Sequence, residues 1–149
     1  MGLIELPQNA LVYLDASPLI YSAEKIQPYW SLLRPVWQAA QNGEITLLGS
    51  ELLLLEVLVK PVEVGDLILE QTFRDLLKAH EFDLVPISTA ILEQAVMLRA
   101  QYHIKTPDAI HAATALSTSC DLLLTNDADF RRLTELPIIV LADLLPSTV

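Results

Sequence analysis

Cysteine is nearly absent from this chain: Cys120 is the only one in 149 residues. That excludes an internal disulfide and a zinc site built on thiolates, and a lone cysteine is expected to be a small buried residue. Basic residues are scarce as well. Nine Lys and Arg stand against 19 Asp and Glu, a formal net charge of −10. Affinity for a polyanion comes largely from cationic side chains, so unassisted binding of nucleic acid is disfavoured. A chain of this charge meets RNA only if some of its carboxylates hold divalent cations that reverse the local field; otherwise the surplus charge suits a basic protein partner. Long apolar runs are missing too. The greasiest stretch, LLLLEVLV at 52–59, is interrupted by Glu56 and falls well short of the roughly 18 residues of a membrane span. The opening MGLIELPQ has no basic leader followed by an apolar core, and Leu6 stands where a myristoylation signal wants Ser or Thr. A cytoplasmic protein without membrane contact is expected, with no repeat, linker or low-complexity segment.

What is present is 52% hydrophobic residues, enough for one real core, so residues 1–149 are expected to form a single domain. Short β-rich runs alternate with longer helical patterns, the arrangement of a parallel sheet covered by helices on both faces. Strands are expected at 10–14, 44–48, 82–87, 121–125 and 138–141. Helices are expected at 18–25, 31–41, 51–59, 62–80, 89–102, 107–118 and 127–133. The fold class is therefore α/β, a three-layer α/β/α sandwich around a central five-stranded parallel sheet.

Helix starts are marked at Ser17-Pro18 and Thr106-Pro107, each a hydroxyl expected to cap with proline behind it. Ser50 and Asn126 are expected to cap the helices carrying Glu56 and Asp127. Aspartates cluster at these same points. Asp15 follows the first strand and Asp127 the fourth, so both project at the carboxyl edge of a parallel sheet, where open α/β folds build their sites. Glu56 and Asp108 come from helices. Glu51 and Glu56 are five positions apart, about 140° around a helix, so they do not share a face. Glu56, inside an apolar run, is the better candidate, because Glu51 suits a first-turn acid. Oxygen ligands in this number fit Mg²⁺ or Mn²⁺ rather than zinc. Asp129 is balanced between joining the site and reciprocating a cap at Asn126.

The segments YLDASPLIY, GSELLLLEV, TPDAIHAATAL and LLLTNDADF, in this order, resemble the four signature segments of the PIN domain. The likeness spans most of the chain. It implies an acidic pocket that binds divalent metal and cleaves RNA, and a VapC-type toxin of a toxin-antitoxin pair. By position, Asp15, Glu56, Asp108 and Asp127 match the family's catalytic acids, and Ser17 and Thr125 its small polar pocket residues. In that scheme Asp15 and Asp127 ligate the metal directly, Asp108 directly or through water, and Glu56 orients the attacking water. Ser17 or Thr125 would hydrogen-bond to the ligands, with Asp129 beside them. Pro18 departs from many relatives, and the segment 21–37 carries no motif. The resemblance also implies RNA as substrate and a basic, partly disordered antitoxin as partner, and it leaves a homodimer open.

Other residues have plainer readings. His111, one helical turn past Asp108, is expected to pack or hydrogen-bond beside the sheet. His103 looks like a helix C-terminal residue, and Ala109, Ala112, Ala113 and Ala115 make a thin helix that approaches the sheet closely. Trp30, Leu33 and Trp37 form one helical stripe, expected to be core. Lys105, Arg131 and Arg132 lie near the acids in sequence and could meet RNA phosphates. Rival readings are a non-catalytic docking module on the same fold and a housekeeping RNA-processing nuclease without an antitoxin. A haloacid-dehalogenase type phosphotransferase is excluded by the lack of a second aspartate two positions after Asp15, and a receiver domain by the lack of its paired acid and late lysine.

Overall fold

The computed structural model describes residues 2–147. Five strands form one sheet: β1 (Leu11–Leu14), β2 (Thr46–Ser50), β3 (Phe82–Val85), β4 (Leu122–Thr125) and β5 (Ile138–Val140). All neighbours pair in parallel, in the order β3-β2-β1-β4-β5. Six α-helices connect them: α1 (Ala16–Glu24), α2 (Tyr29–Gln41), α3 (Leu52–Val64), α4 (Leu67–Lys78), α5 (Thr89–Tyr102) and α6 (Thr106–Thr118). Two 3-10 turns follow, at Ala128–Arg132 and Leu141–Leu144. No helix among the described residues is long and apolar enough to cross a membrane.

The strands are continuous apolar runs because both faces of the sheet are buried. Successive side chains on a strand point to opposite faces. On β1, Val12 and Leu14 join a core made with α1 to α4, including Leu19, Leu33, Trp37, Leu53 and Phe73. Tyr13 turns the other way, into a second core made with α5 and α6 around Ile91, Leu98, Ala112 and Leu123. This is the three-layer arrangement expected. Each fully buried leucine among these contributes about 1.5–3 kcal/mol from apolar area alone. Trp37 is buried with its indole N–H donated to Ser22 Oγ at 2.8 Å, and Trp30 packs half-buried against the same core, so the aromatic stripe is core as expected. Cys120 is buried.

Several local expectations need correction. The break expected at 60–61, between the helices at 51–59 and 62–80, falls at 65–66 instead: α3 runs through Pro61 to Val64, Gly65 closes it at φ +72°, and Asp66 caps α4 by accepting from the Leu69 N–H at 3.0 Å. A glycine in the left-handed region followed by an acidic cap is a complete stop-and-start signal, and it outweighs the helical periodicity on either side. Strand β2 extends to Ser50, two residues past the expected end, because Gly49 pairs with Leu84 and Ser50 with Val85. Gly49 also lets α3 begin close to the sheet, since a Cβ there would fall 2.4 Å from Leu53 Cδ1 and 2.9 Å from Phe82 Cζ. His103 closes α5 at φ 56°, the helix-terminal role expected of it.

Three of the expected caps are also different. Asp15, not Ser17, caps α1, and Asp127, not Asn126, caps the 3-10 turn after β4. Thr106 lies inside α6 and uses its hydroxyl to accept from Arg99 Nη1 at 3.0 Å. A carboxylate is at least as good a cap as a hydroxyl and adds favourable charge at the helix start, so Asp15 and Asp127 take the first two positions, whereas α6 starts from Lys105 with no side-chain cap bond. Ser50 does serve α3, accepting from the Leu52 N–H at 3.0 Å.

Candidate active site

The strand order fixes where a site can form. From β1 the chain steps outward through β2 and β3, then returns to place β4 on β1's other side. The crevice between the carboxyl ends of β1 and β4 is therefore the point of reversal, where α/β sheets bind ligands. Asp15 ends β1 and Asp127 lies two residues beyond β4. Between them, near the sheet edge, is a pocket of about 440 Å³ whose walls include Asp15, Ser17, Glu56, Asp108, His111 and Asp127. Four elements separated widely in sequence thus bring the four expected acids to one cavity.

A hydroxyl network joins the two strand ends. Thr125 Oγ1 donates to Asp15 Oδ2 at 2.5 Å and accepts from the Asp127 N–H at 2.9 Å. Ser17 repeats the pattern from the other side: its Oγ donates to Asp15 Oδ1 at 3.1 Å and accepts from the Asn126 N–H at 3.0 Å. The Ser17 N–H also donates to Asp15 Oδ1, at 3.3 Å. Both hydroxyls are thereby oriented as donors toward one carboxylate. Asn126, instead of capping, donates from Nδ2 to the Tyr21 hydroxyl and accepts from the Ala142 N–H, fastening the loop after β4 to α1 and to the chain beyond β5.

Asp15 is 5% exposed, and burial raises its pKa from 3.8 to about 6. Hydrogen bonds from Thr125 and Ser17 oppose the shift. Asp108 sits in the first turn of α6, where backbone N–H groups favour negative charge. Its pKa is nonetheless raised to about 7, first by burial, then by the charges of Asp127 and Asp15, with Lys105 opposing. Crowded acids that repel one another are costly unless a cation joins them. Asp108 Oδ2 is buried and finds no hydrogen-bond partner among the described residues.

The carboxylates of Asp108, Asp127 and Asp129 each place an oxygen within 4.8 Å of the others, the spacing one cation could bridge. Asp129, the candidate left balanced by sequence, comes within that spacing from outside the pocket wall, and its N–H donates to Asp127 Oδ1 at 2.9 Å. Asp15 stands outside that triplet, with both oxygens taken up by Ser17 and Thr125. The donors are all oxygen, one of them orphaned, and their charges raise a neighbour's pKa: a set that fits a hard dication.

Glu56 lines the pocket from α3, whereas Glu51 is exposed and accepts from the Ile87 N–H at 3.1 Å, stapling the loop after β3. The face assignment of the two glutamates is as expected. His111 is buried and hydrogen-bonded, also as expected, but its partners carry more than packing: Nε2 is 2.6 Å from Glu56 Oε1 and Nδ1 is 2.7 Å from the Tyr13 hydroxyl. No sequence signal links Glu56 to His111, because they lie on different helices 55 residues apart. Two of the basic residues have acidic or carbonyl partners. Arg131 pairs with Asp143, and Arg132 donates to the His103 carbonyl and lies 3.7 Å from Asp129. Among the described residues the pocket wall contains no lysine or arginine.

Residues 12–136 match the family model described as the PIN domain. The chain belongs to the PIN domain family. No curated protein matches the sequence. Solved structures similar to this PIN domain include VapBC2 from Rickettsia felis bound to a DNA fragment from its promoter, at 18% identity and a TM-score of 0.68 over 87% of this chain and 97% of that one. A toxin-antitoxin complex from Klebsiella pneumoniae matches at 27% identity and 0.64, over 87% and 97%. VapBC-1 from nontypeable Haemophilus influenzae matches at 20% and 0.62, over 89% and 98%.

Proposed function

We propose that this PIN domain is an endoribonuclease that depends on Mg²⁺ or Mn²⁺, hydrolyses RNA phosphodiester bonds, and acts as the toxin of a type II toxin-antitoxin pair. The observation that carries the proposal is the convergence of Asp15, Glu56, Asp108 and Asp127 from four separate elements on one pocket, with Asp129 in bridging distance of two of them. The likeness to the Klebsiella toxin-antitoxin complex and to VapBC proteins supports the toxin half.

A bound dication would supply a water of lowered pKa and a positive centre facing the phosphate. Asp108, Asp127 and Asp129 would hold it. Asp15, fixed by Ser17 and Thr125, would add negative charge from the β1 side. Glu56 accepts a hydrogen bond from the attacking water and aligns it with phosphorus. The water oxygen would bond to phosphorus, releasing one proton to solvent, as the bond to the 3′ oxygen breaks and that oxygen takes a proton from solvent. The dication also answers the charge problem, because no lysine or arginine lines the pocket wall among the described residues.

The partner side has its own support. Leu55, Val59, Val62, Leu67 and Ile68 are exposed on α3 and α4, an apolar surface that an antitoxin segment would cover. Its Arg or Lys residues would suit the acidic pocket nearby. The same surface would serve a homodimer.

The test is cleavage of a labelled RNA by purified protein with Mn²⁺, with EDTA, and with the Asp108→Asn variant. Cleavage that EDTA stops and Asp108→Asn reduces at least a hundredfold is expected. Equal cleavage by the variant, or indifference to EDTA, contradicts the assignment.

A further inference from the structure

His111 is 1% exposed and both of its ring nitrogens are engaged. A carboxylate has no hydrogen to give, so the 2.6 Å contact with Glu56 Oε1 places the proton on Nε2. Nδ1 is then the acceptor for the Tyr13 hydroxyl at 2.7 Å. Burial raises the Tyr13 pKa well above its ordinary value, so the phenol keeps its proton and can donate it to the Nδ1 of a neutral imidazole. The two rings meet edge to face, centroids 5.7 Å apart and planes at 74°, so the imidazole is fixed in plane as well as in distance. Its position is fixed in turn by α6, whose Ala109, Ala112 and Ala113 are fully buried and bring the helix against the sheet.

Glu56 is held quite differently. Its side chain is 23% exposed at the pocket wall, and an untethered glutamate samples several rotamers. With Oε1 bound to His111, the second carboxylate oxygen is left for the pocket. An imidazole with both nitrogens occupied, meanwhile, has no lone pair free for a metal or a substrate.

We infer that Tyr13 and His111 form a hydrogen-bonded chain from the buried strand β1 that positions the Glu56 carboxylate in the pocket, with His111 a positioning residue and not a ligand or a base. The inference rests on the nuclease reading above, in which Glu56 orients the attacking water. The chain runs from one core across α6 to α3, so it joins the two sides of the sheet at the site.

The test is a double-mutant cycle on RNA cleavage by the Mn²⁺-loaded protein. His111→Phe, which keeps a ring but no polar atom, is expected to lower kcat roughly ten- to a hundredfold, the scale of a misplaced catalytic group, with KM and Mn²⁺ affinity unchanged. His111→Gln, which restores a donor, should recover part of the loss. Glu56→Ala with His111→Phe should be no slower than Glu56→Ala alone. Losses that multiply, or a change in KM or Mn²⁺ affinity with kcat intact, overturn the inference. If His111→Phe fails to fold, Tyr13→Phe, which removes one hydroxyl, carries the same cycle.

Imidazole ¹⁵N spectra test the chain without any activity. His111 should show the Nε2-protonated tautomer, and its signals should move in both Glu56→Ala and Tyr13→Phe; a His111 signal indifferent to Glu56→Ala overturns the chain. Wild-type protein that cleaves no RNA defeats the nuclease reading instead, and the spectra then decide the chain alone.

Discussion

Thr125 Oγ1 donates a 2.5 Å hydrogen bond to Asp15 Oδ2, so the ends of the two central strands, 110 residues apart, share one proton donor at the mouth of the pocket. Thr125 is fully buried, and among the described residues no other supplies that contact to Oδ2. Thr125→Val keeps the shape and removes the donor. It should destabilise the protein by about 2 kcal/mol, the cost of leaving a buried charged acceptor unpaired, while Thr125→Ser should cost less than about 1 kcal/mol. Urea unfolding of the three proteins above neutral pH checks this.

The raised pKa values of Asp15 and Asp108 make stability depend on pH in a definite sense. Both groups titrate near 3.8 when unfolded and at about 6 and 7 when folded. Between those limits the folded state binds more protons than the unfolded one, so stability is lost as pH rises from about 4 to about 7 and is flat above. Thermal unfolding in EDTA should therefore show a Tm that falls across that window. Added Mn²⁺ should restore it at pH 8. Asp108→Asn in EDTA at pH 8 should be more stable than wild type, by about 1 kcal/mol after discounting for solvent screening of a half-exposed carboxylate. A wild-type Tm that rises from pH 5 to 8 in EDTA contradicts the crowding of acids.

Asp129 offers a sharper distinction. If it is only a turn-forming residue, Asp129→Asn preserves everything, because its backbone N–H still donates to Asp127 Oδ1. The bridging distance predicts that Asp129→Asn weakens Mn²⁺ binding at least about tenfold, as loss of a charged ligand does, while leaving Tm in EDTA unchanged.

Gly49 tests the packing that delivers Glu56. A methyl group there meets Leu53 and Phe82 at distances real side chains do not tolerate. Gly49→Ala should cost about 1–3 kcal/mol by overpacking and should lower cleavage beyond the effect on folding, because α3 must shift and Glu56 moves with it. Urea unfolding beside kcat measures both.

The strands were legible because a parallel sheet buried on both faces demands apolar runs, and Leu122 to Leu124 or Val12 to Leu14 have little else to be. The acids were legible as a set because each stands at an element's end or inside an apolar run without a folding reason. What sequence obscured were competitions between neighbours. Asp15 and Ser17, or Asn126 and Asp127, are all good caps, and only the fold decides that the aspartate caps while Ser17 bridges the two strand ends and Asn126 fastens the loop. The break at Gly65-Asp66 lies between two good helical patterns, and Pro61 is tolerated inside α3. The bond between His111 and Glu56 was out of reach altogether, since periodicity relates residues on one helix and says nothing of two helices that meet across a pocket.

The central claim is that these carboxylates form one site for a divalent cation. Calorimetric titration of Mn²⁺ into the purified protein at pH 7.5 tests it most directly. Saturable binding that is lost in both Asp108→Asn and Asp127→Asn, with each variant still folded, is the predicted result; Mn²⁺ binding unchanged in both variants, or none in the wild type, would contradict it.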